Sequence, residues 1–265
     1  MQSILIATLA VGAIGLVVGV LLIFVSKKFE VEVDEKEQAV REFLPGNNCG
    51  ACGYAGCDAM AAAIAKGEAP VNGCPVGGAA GAEQIARIMG VEAVEVEKTV
   101  AFVKCSGSCD KAVQRCNYVG IHDCASAAAC GINPWACDYG CFGFGSCAAV
   151  CPFDAIHVID GVAKVDRDKC KACGKCVAVC PKHLIEIIPD KAVYAVSCSN
   201  KDRGPAVKKV CTAGCIGCKL CEKQCEFDAI HVENNVAHID YEKCTGCGKC
   251  FETQRTVAFV SQTAR

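Results

Sequence analysis

Aromatic residues and net charge are both scarce in this chain of 265 residues. Aromatic side chains make up 6 %, with a single Trp, and 27 basic residues nearly balance 29 acidic ones, for a formal net charge of -2. No overall basic field points to nucleic acid, and we expect no nucleic-acid partner. The 52 % hydrophobic content is inflated by cysteine and by one N-terminal run. Because large core-forming side chains are few, we expect bound metal to contribute to folding.

Motifs of hydrolases, acyl transferases and nucleotide-binding enzymes are also missing. The sequence has no P-loop and no G-x-G-x-x-G, and its five histidines show no ligand-like pairing. We therefore predict no catalytic residue in the chain and no organic cofactor bound to it.

Cysteine is the residue in excess, at 26 of 265 positions. Disulfide-rich secreted domains reach this density, but they are usually much shorter. The spacing of the cysteines therefore carries the functional information.

The N-terminal run from Ile4 to Val25 contains no charged residue. At 1.5 Å per residue it would extend about 33 Å, enough to cross a hydrocarbon core of about 30 Å. Lys27 and Lys28 follow it, which predicts the N-terminus outside and the remainder in the cytoplasm. A cleaved signal peptide is the alternative, but it would need a basic n-region before the run. We predict a transmembrane anchor at 1–26 and a charged linker at 27–44.

A first cysteine group defines a small module at 45–90. Its spacing, C-x2-C-x4-C followed by C-P, suits a [4Fe–4S] cluster, and a zinc knuckle is the alternative. The predicted ligands are Cys49, Cys52, Cys57 and Cys74.

The rest of the chain contains an internal repeat at an offset of 74 residues. Cys151-Pro-Phe-Asp-Ala-Ile-His-Val in the first copy corresponds to Cys225-Glu-Phe-Asp-Ala-Ile-His-Val in the second. Each copy predicts a ferredoxin-like unit, at 135–190 and at 210–265. In each unit a short hairpin joins two cysteine runs, with Asp160-Gly161 or Asn234-Asn235 at its turn.

The first unit contains the bacterial ferredoxin signature C-x2-C-x2-C-x3-C-P, in which the fourth cysteine binds the other cluster. One cluster is assigned Cys137, Cys141, Cys147 and Cys180. The other is assigned Cys151, Cys170, Cys173 and Cys176. The assignment of Cys137 is the weakest of these, because its run has the longer spacing C-x3-C-x5-C-x3-C-P.

The second unit departs from the signature at one position. One cluster is complete, with Cys225, Cys244, Cys247 and Cys250. The other has Cys215, Cys218 and Cys221, while Gln254 occupies the position of the expected fourth ligand. Two alternatives stay open: Cys211 completes the set, or the cluster is [3Fe–4S] or absent.

Seven cysteines remain, mostly in the connectors at 91–134 and 191–209. Four of them form our candidate set for a further cluster: Cys105, Cys124, Cys198 and Cys211. The alternative is that they are buried or free thiols. The sequence assigns no role to Cys109, Cys116 and Cys130.

The anchor, the C-x2-C-x4-C…C-P module and the ferredoxin repeats, in this order, resemble the B subunit of the Rnf ion-translocating electron transport complex. The resemblance covers essentially the whole chain, and the stretch Cys105–Cys130 resembles the longer, clostridial-type form. It implies an electron-relay subunit of a membrane-bound ferredoxin:NAD⁺ oxidoreductase. The implied partners are soluble ferredoxin, membrane and flavin-carrying subunits, and membrane lipid.

The expected fold is therefore α+β: one N-terminal transmembrane helix, a small [4Fe–4S] module and two tandem ferredoxin-like units. We expect four to six clusters on cytoplasmic domains at the cell membrane. A stand-alone membrane-anchored polyferredoxin is the alternative function, and a zinc-stabilised interaction module is a third hypothesis.

Overall fold

The computed structural model describes residues 12–13, 15–24, 34–92, 97–256 and 258–261. Residues 15–24 are helical. The later helices are α1 (Glu35–Phe43), α2 (Cys57–Ala65), α3 (Gly78–Met89), α4 (Cys124–Ala129), α5 (Ser146–Ala149), α6 (Lys175–Val179), α7 (Gly204–Val210), α8 (Leu220–Gln224) and α9 (Lys249–Glu252). The strands are β1 (Thr99–Val103), β2 (Ile156–Ile159), β3 (Val162–Val165), β4 (Ile185–Pro189), β5 (Tyr194–Val196), β6 (Ile230–Glu233), β7 (Val236–Ile239) and β8 (Phe259–Ser261).

The predicted transmembrane helix requires correction. Among the residues that the structure describes, no helix has both the length and the apolar character needed to cross a bilayer. Within the predicted span, the described residues 12–13 and 15–24 are helical. Positions 4–11, 14 and 25 of the predicted span lie outside the described residues. The mixed helix and strand content agrees with the remainder of the expected fold.

Three helices form the core of the N-terminal module. Val40 of α1, Met60 and Ile64 of α2, and Ile85 of α3 are each at most 1 % exposed. The alanine-rich α2 forms readily because alanine has the highest helix propensity. Helix α3 ends at Gly90, whose φ of 67° is the left-handed conformation that glycine adopts at a helix end. The charged range 27–44 thus supplies α1, which packs against the module.

The two predicted hairpins are present at equivalent positions. Strands β2 and β3 pair antiparallel with Ile159 opposite Val162, and β6 and β7 pair with Glu233 opposite Val236. The expected positive φ at both turn residues is confirmed: 52° and 79° at Asp160-Gly161, and 47° and 63° at Asn234-Asn235. Such turns match the right-handed twist of the flanking strands.

A second two-stranded sheet joins each ferredoxin-like unit to the connector that precedes it. β1 of the first connector pairs antiparallel with β4 of the first unit, placing Val100 opposite Ile188. β5 of the second connector pairs antiparallel with β8 of the second unit, placing Val196 opposite Phe259. The buried core of the first unit joins these strands to Cys147 and Cys170. Cysteine therefore occupies core positions that larger apolar side chains fill in other proteins.

Each hairpin turn presses against a glycine in the cysteine loop of the same unit. A Cβ on Gly143 would lie 2.5 Å from the carbonyl oxygen of Gly161, and one on Gly217 would lie 2.8 Å from that of Asn235. Both glycines also have positive φ, 80° and 63°. Glycine is required here because any side chain would push the cysteine loop away from the hairpin.

The β1–β4 sheet predicts a strong difference between two neighbouring isoleucines. Ile188 is 1 % exposed in the core, whereas Ile187 is 40 % exposed on the opposite face. Ile188→Ala should destabilise the cluster-loaded protein by about 2–5 kcal/mol because it leaves a cavity. Anaerobic thermal unfolding measures the effect, with Ile187→Ala as the matched control. Equal losses in the two variants would contradict this packing.

Candidate metal centres

All 26 cysteines are free thiols, and we group 23 of them at six places along the described chain. No three His, Cys, Asp or Glu side chains within the described residues are arranged around a single metal ion. A four-iron cluster is larger than one ion, so its cysteine ligands stand further apart. We number the six places, sites 1 to 6, from the N-terminal module toward the second ferredoxin-like unit.

Site 1 consists of the four cysteines predicted for the module: Cys49, Cys52, Cys57 and Cys74. Cys52, Cys57 and Cys74 pack around the core that contains Met60. The backbone N–H of Cys57 donates to Asn48 Oδ1 at 2.7 Å, which fixes the start of α2 beside the loop. The N–H of Gly77 donates to Cys74 Sγ at 3.4 Å. Burial raises the pKa of Cys74, and the nearby Cys52 and Cys57 raise it further.

Site 2 contains the predicted set of Cys151, Cys170, Cys173 and Cys176. Burial, followed by the charges of Cys170, Cys173 and Cys151, raises the pKa of Cys176 to about 11. Ala101 N–H of β1 donates to Cys170 Sγ at 3.3 Å, and Ala155 N–H donates to Cys151 Sγ at 3.4 Å. Backbone donors of this kind stabilise negative charge on ligand sulfur.

Site 3 differs from the sequence prediction by one ligand. Its cavity is lined by Cys124, Cys141, Cys147 and Cys180, and not by Cys137. Burial raises the pKa of Cys147 to about 12, with Cys141, Cys124 and Cys180 as the charges that add to it. Cys124 begins α4, and its N–H donates to Ser146 Oγ at 2.8 Å. That hydrogen bond joins the connector to the helix that carries Cys147.

The repeat contains a signal for this exchange. Phe144 lies 74 residues before Cys218, so the first unit lacks the middle cysteine of a C-x2-C-x2-C run. Cys124 supplies the missing thiol from a different segment. The displaced Cys137 lies at the neighbouring site.

Site 4 is assigned Cys105, Cys137, Cys198 and Cys211, which line one cavity together with Cys141 of site 3. The predicted further set differs from it only in containing Cys124 instead of Cys137. Burial raises the pKa of Cys105 to about 12 and that of Cys198 to about 11. A bridge between Ala112 and Cys211 brings the first connector to the second copy of the repeat.

Several N–H donors point at the sulfurs of site 4 from within the protein. The side-chain amide of Asn200, only 2 % exposed, donates to Cys137 Sγ at 3.4 Å. The backbone N–H of Gly107 donates to Cys105 Sγ at 3.4 Å. A buried amide N–H needs an acceptor, and a sulfur that carries the negative charge of a metal ligand is a good one.

Site 5 has three cysteines: Cys215, Cys218 and Cys221. Burial raises the pKa of Cys221 to about 11, with added effects from Cys215 and Cys218. Gln254 is engaged elsewhere, because its Oε1 accepts the N–H of Phe259 at 2.9 Å. Cys211, the alternative fourth ligand, lines the cavity of site 4. The geometry therefore favours a site with three thiolate ligands.

Site 6 contains the predicted set of Cys225, Cys244, Cys247 and Cys250. Burial, Cys244 and Cys247 raise the pKa of Cys250 to about 11. Ala229 N–H donates to Cys225 Sγ at 3.3 Å, which repeats the bond from Ala155 to Cys151 in the first unit.

Three cysteines line neither the cavity of site 3 nor that of site 4. Cys109 and Cys130 are exposed, and Cys116 Sγ lies 3.7 Å from the carbonyl oxygen of Asn133. We assign none of the three to a site.

The six places fit iron–sulfur clusters by their donor chemistry. Soft thiolates are the ligands that iron clusters require, and several of these sulfurs also accept N–H groups. The buried thiols of sites 2 to 6 have raised pKa values, so metal binding must displace their protons.

Comparison with known proteins supports this chemistry in three parts of the chain. Residues 44–76 match a profile described as a putative Fe-S cluster, and 147–191 match the LdpA Fe-S cluster-binding domain. Residues 209–228 and 241–253 match a 4Fe-4S binding domain. The chain therefore binds several [4Fe–4S] clusters.

Three relatives are similar to this chain over nearly its whole length. The B subunit of the Na(+)-translocating ferredoxin:NAD(+) oxidoreductase complex of Acetobacterium woodii is 47 % identical over 253 residues, 95 % of this chain and 76 % of the relative. The chain belongs to the Rnf B-subunit family. The B subunit of an ion-translocating oxidoreductase complex of Methanosarcina acetivorans is 46 % identical, over 94 % of this chain and 96 % of the relative. The B subunit of the proton-translocating ferredoxin:NAD(+) oxidoreductase complex of Clostridium ljungdahlii is 43 % identical, over 94 % and 88 %.

Site 3 predicts an effect for a cysteine outside both ferredoxin runs. Cys124→Ala should lower the iron content by about one cluster per chain, because one of four thiolate ligands is lost. Iron and sulfide analysis of anaerobically purified protein measures it. Cys130→Ala, at the exposed end of the same helix, is the matched control. Full iron content in the Cys124 variant would remove Cys124 from site 3.

Site 5 predicts a gain when its missing ligand is supplied. Gln254→Cys should raise the iron content by about one atom per chain and abolish the EPR signal of an oxidised [3Fe–4S] cluster, since a fourth thiolate retains the fourth iron. Gln38→Cys, at an exposed position of α1, is the control for an added thiol. If the wild-type protein shows no such signal and neither variant gains iron, the three-ligand assignment fails.

Proposed function

We propose that the chain relays single electrons through its cluster sites, between a ferredoxin and the other subunits of an Rnf-type ferredoxin:NAD⁺ oxidoreductase complex. The supporting observation is the placement of site 4 between the two ferredoxin-like units. Bound [4Fe–4S] clusters supply one-electron transfer at low potential. The protein fixes the distance between neighbouring carriers and surrounds each with backbone donors.

Hydrogen bonds connect site 4 to both neighbours. Cys141 N–H, of site 3, donates to Cys105 Sγ at 3.5 Å. Cys215 N–H, of site 5, donates to Cys198 Sγ at 3.2 Å. A ligand of site 4 thus contacts the backbone of a ligand on each side, which gives electrons a short route between the units.

The remaining neighbouring sites are connected in two ways: by a shared helix, or by the effect of one site's cysteine charge on the pKa of a cysteine in the next. Helix α5 carries Cys147 of site 3 and leads directly to Cys151 of site 2. Burial is the main cause of the raised pKa of Cys221 in site 5, and the charge of Cys250 in site 6 raises that pKa further. Burial likewise raises the pKa of Cys173 in site 2, and the charge of Cys49 in site 1 raises it further. The six sites therefore form a linear series.

The surroundings of the relay follow from the relatives. Their names place the B subunit in complexes that move ions and oxidise or reduce ferredoxin and NAD⁺. We assign the chain to such a complex at the cell membrane, with its flavin-carrying and membrane subunits as further partners. A reducing, cytoplasmic compartment suits the cluster sites, because cysteines stay available there as metal ligands. Lipid contact and an outside N-terminus stay predictions, because residues 1–11 and 25–33 lie outside the described range.

The relay predicts that breaking site 4 separates the two units. In the intact complex with Cys137→Ala, reduced ferredoxin should still reduce sites 5 and 6. Reduction of sites 1 to 3 should slow by about tenfold or more, because electrons would have to cross the gap left by site 4. Freeze-quench EPR resolves which clusters are reduced.

Cys116→Ala removes an unassigned thiol and serves as the control. Equal reduction of all sites in both variants would overturn the linear series. A complex in which reduced ferredoxin reduces no site, even in the wild type, would instead favour a polyferredoxin that serves another enzyme.

A further inference from the structure

An exposed group of basic residues surrounds site 5. We define the basic surface as Lys201, Arg203, Lys208, Lys209 and Lys219, all of which are exposed. The segment 201–223 contains six basic and two acidic residues, although the whole chain has a net charge of -2. Positive charge is therefore concentrated locally and is not a property of the chain as a whole.

Helix α7 holds these side chains against the loop that carries site 5. Val207 is buried, and a Cβ on Gly214 would lie 2.3 Å from its Cγ1. Gly204 packs in the same way, since a Cβ there would lie 2.8 Å from the carbonyl oxygen of Ile216. The side chain of Asn235 donates to the carbonyl oxygen of Lys201 at 2.9 Å. The basic surface is thus fixed to the loop 213–217.

Most of this charge is uncompensated. Lys219 lies 3.8 Å from Glu222, but within the described part of the chain Lys201, Arg203, Lys208 and Lys209 form no ion pair. Elsewhere comparable lysines are paired, as Lys169 is with Asp154 at 3.0 Å. Four cations left facing solvent on one small surface create an attractive field for an anionic partner.

The surface also reaches a metal ligand and an apolar flank. Cys218 of site 5 is exposed and directly precedes Lys219. Val113, which is 49 % exposed, donates its N–H to the carbonyl oxygen of Val210 at the end of α7. Apolar contacts ringed by charge are typical of protein–protein interfaces, and an exposed ligand lets a partner's redox centre approach closely.

We propose that the basic surface is the docking site for a small acidic electron-carrier protein, which exchanges electrons with the chain at the Cys218 edge of site 5. This inference rests on the proposed relay and gives it a specific point of entry. A protein partner is favoured over a lipid surface because the exposed thiolate lies among the cations. Complementary charge mainly accelerates the encounter and does so less as salt rises.

The test compares two double charge reversals in the intact complex. Lys208→Glu with Lys209→Glu alters the basic surface, and Lys36→Glu with Lys66→Glu makes the same charge change on exposed positions of the N-terminal module. The probe is a small acidic ferredoxin, chemically reduced, and freeze-quench EPR gives the second-order rate constant at several salt concentrations.

We expect the surface variant to lose about tenfold or more in rate constant at low salt, and to show a weaker salt dependence, because steering contributes factors of this size. The control should match the wild type. Reduction by photoreduced deazaflavin, which needs no docking, should be equal in all three proteins.

Other outcomes overturn the proposal in distinguishable ways. If ferredoxin reduces the wild type and both variants at equal rates, the docking site is wrong while the relay stands. If ferredoxin reduces none of them, the proposed function fails as well. If the surface variant loses binding to phosphatidylserine vesicles but keeps its ferredoxin rate, the surface faces lipid instead.

Discussion

The bond between cysteine sulfur and iron is the interaction on which the rest of this fold depends. The sheets have two strands each, and helices such as α5 and α9 have only four residues. Elements this short do not bury enough surface to be stable alone. Thiols occupy the centres of their cores, as Cys147 and Cys215 do. Metal binding in place of thiol protons therefore supplies folding free energy as well as redox centres.

The same constraint explains how separate parts of the chain are joined. Site 4 takes its ligands from two connectors and from both copies of the repeat, with Cys105 and Cys211 at its extremes. Apolar packing joins the same segments, since Val103, Ile156 and Ala195 lie in one buried cluster. In the proposed relay, a cluster held at site 4 would connect the two ferredoxin-like units.

The local predictions succeeded where the chemistry depends on neighbours in sequence. The turn at Asp160-Gly161 has the expected positive φ because two small residues decide a tight turn by themselves. The predicted transmembrane helix was wrong for the described residues, since no helix among them combines the length and apolar character of a membrane span. The ligand sets of sites 1, 2 and 6 could be proposed from spacing alone, since a cluster binds several closely spaced thiolates of one loop.

The sequence by itself determined that the chain carries iron–sulfur centres, that it contains a duplicated ferredoxin-like unit, and that Gln254 breaks the pattern, because all three are recorded in local spacing. Only the tertiary structure decided that Cys124 belongs to site 3 and Cys137 to site 4. Both ligands come from segments whose separation along the chain says nothing of their separation in space. The bond from Asn200 to Cys137 Sγ and the bond from Cys124 N–H to Ser146 Oγ support these placements, and such long-range contacts leave no periodic trace in the sequence.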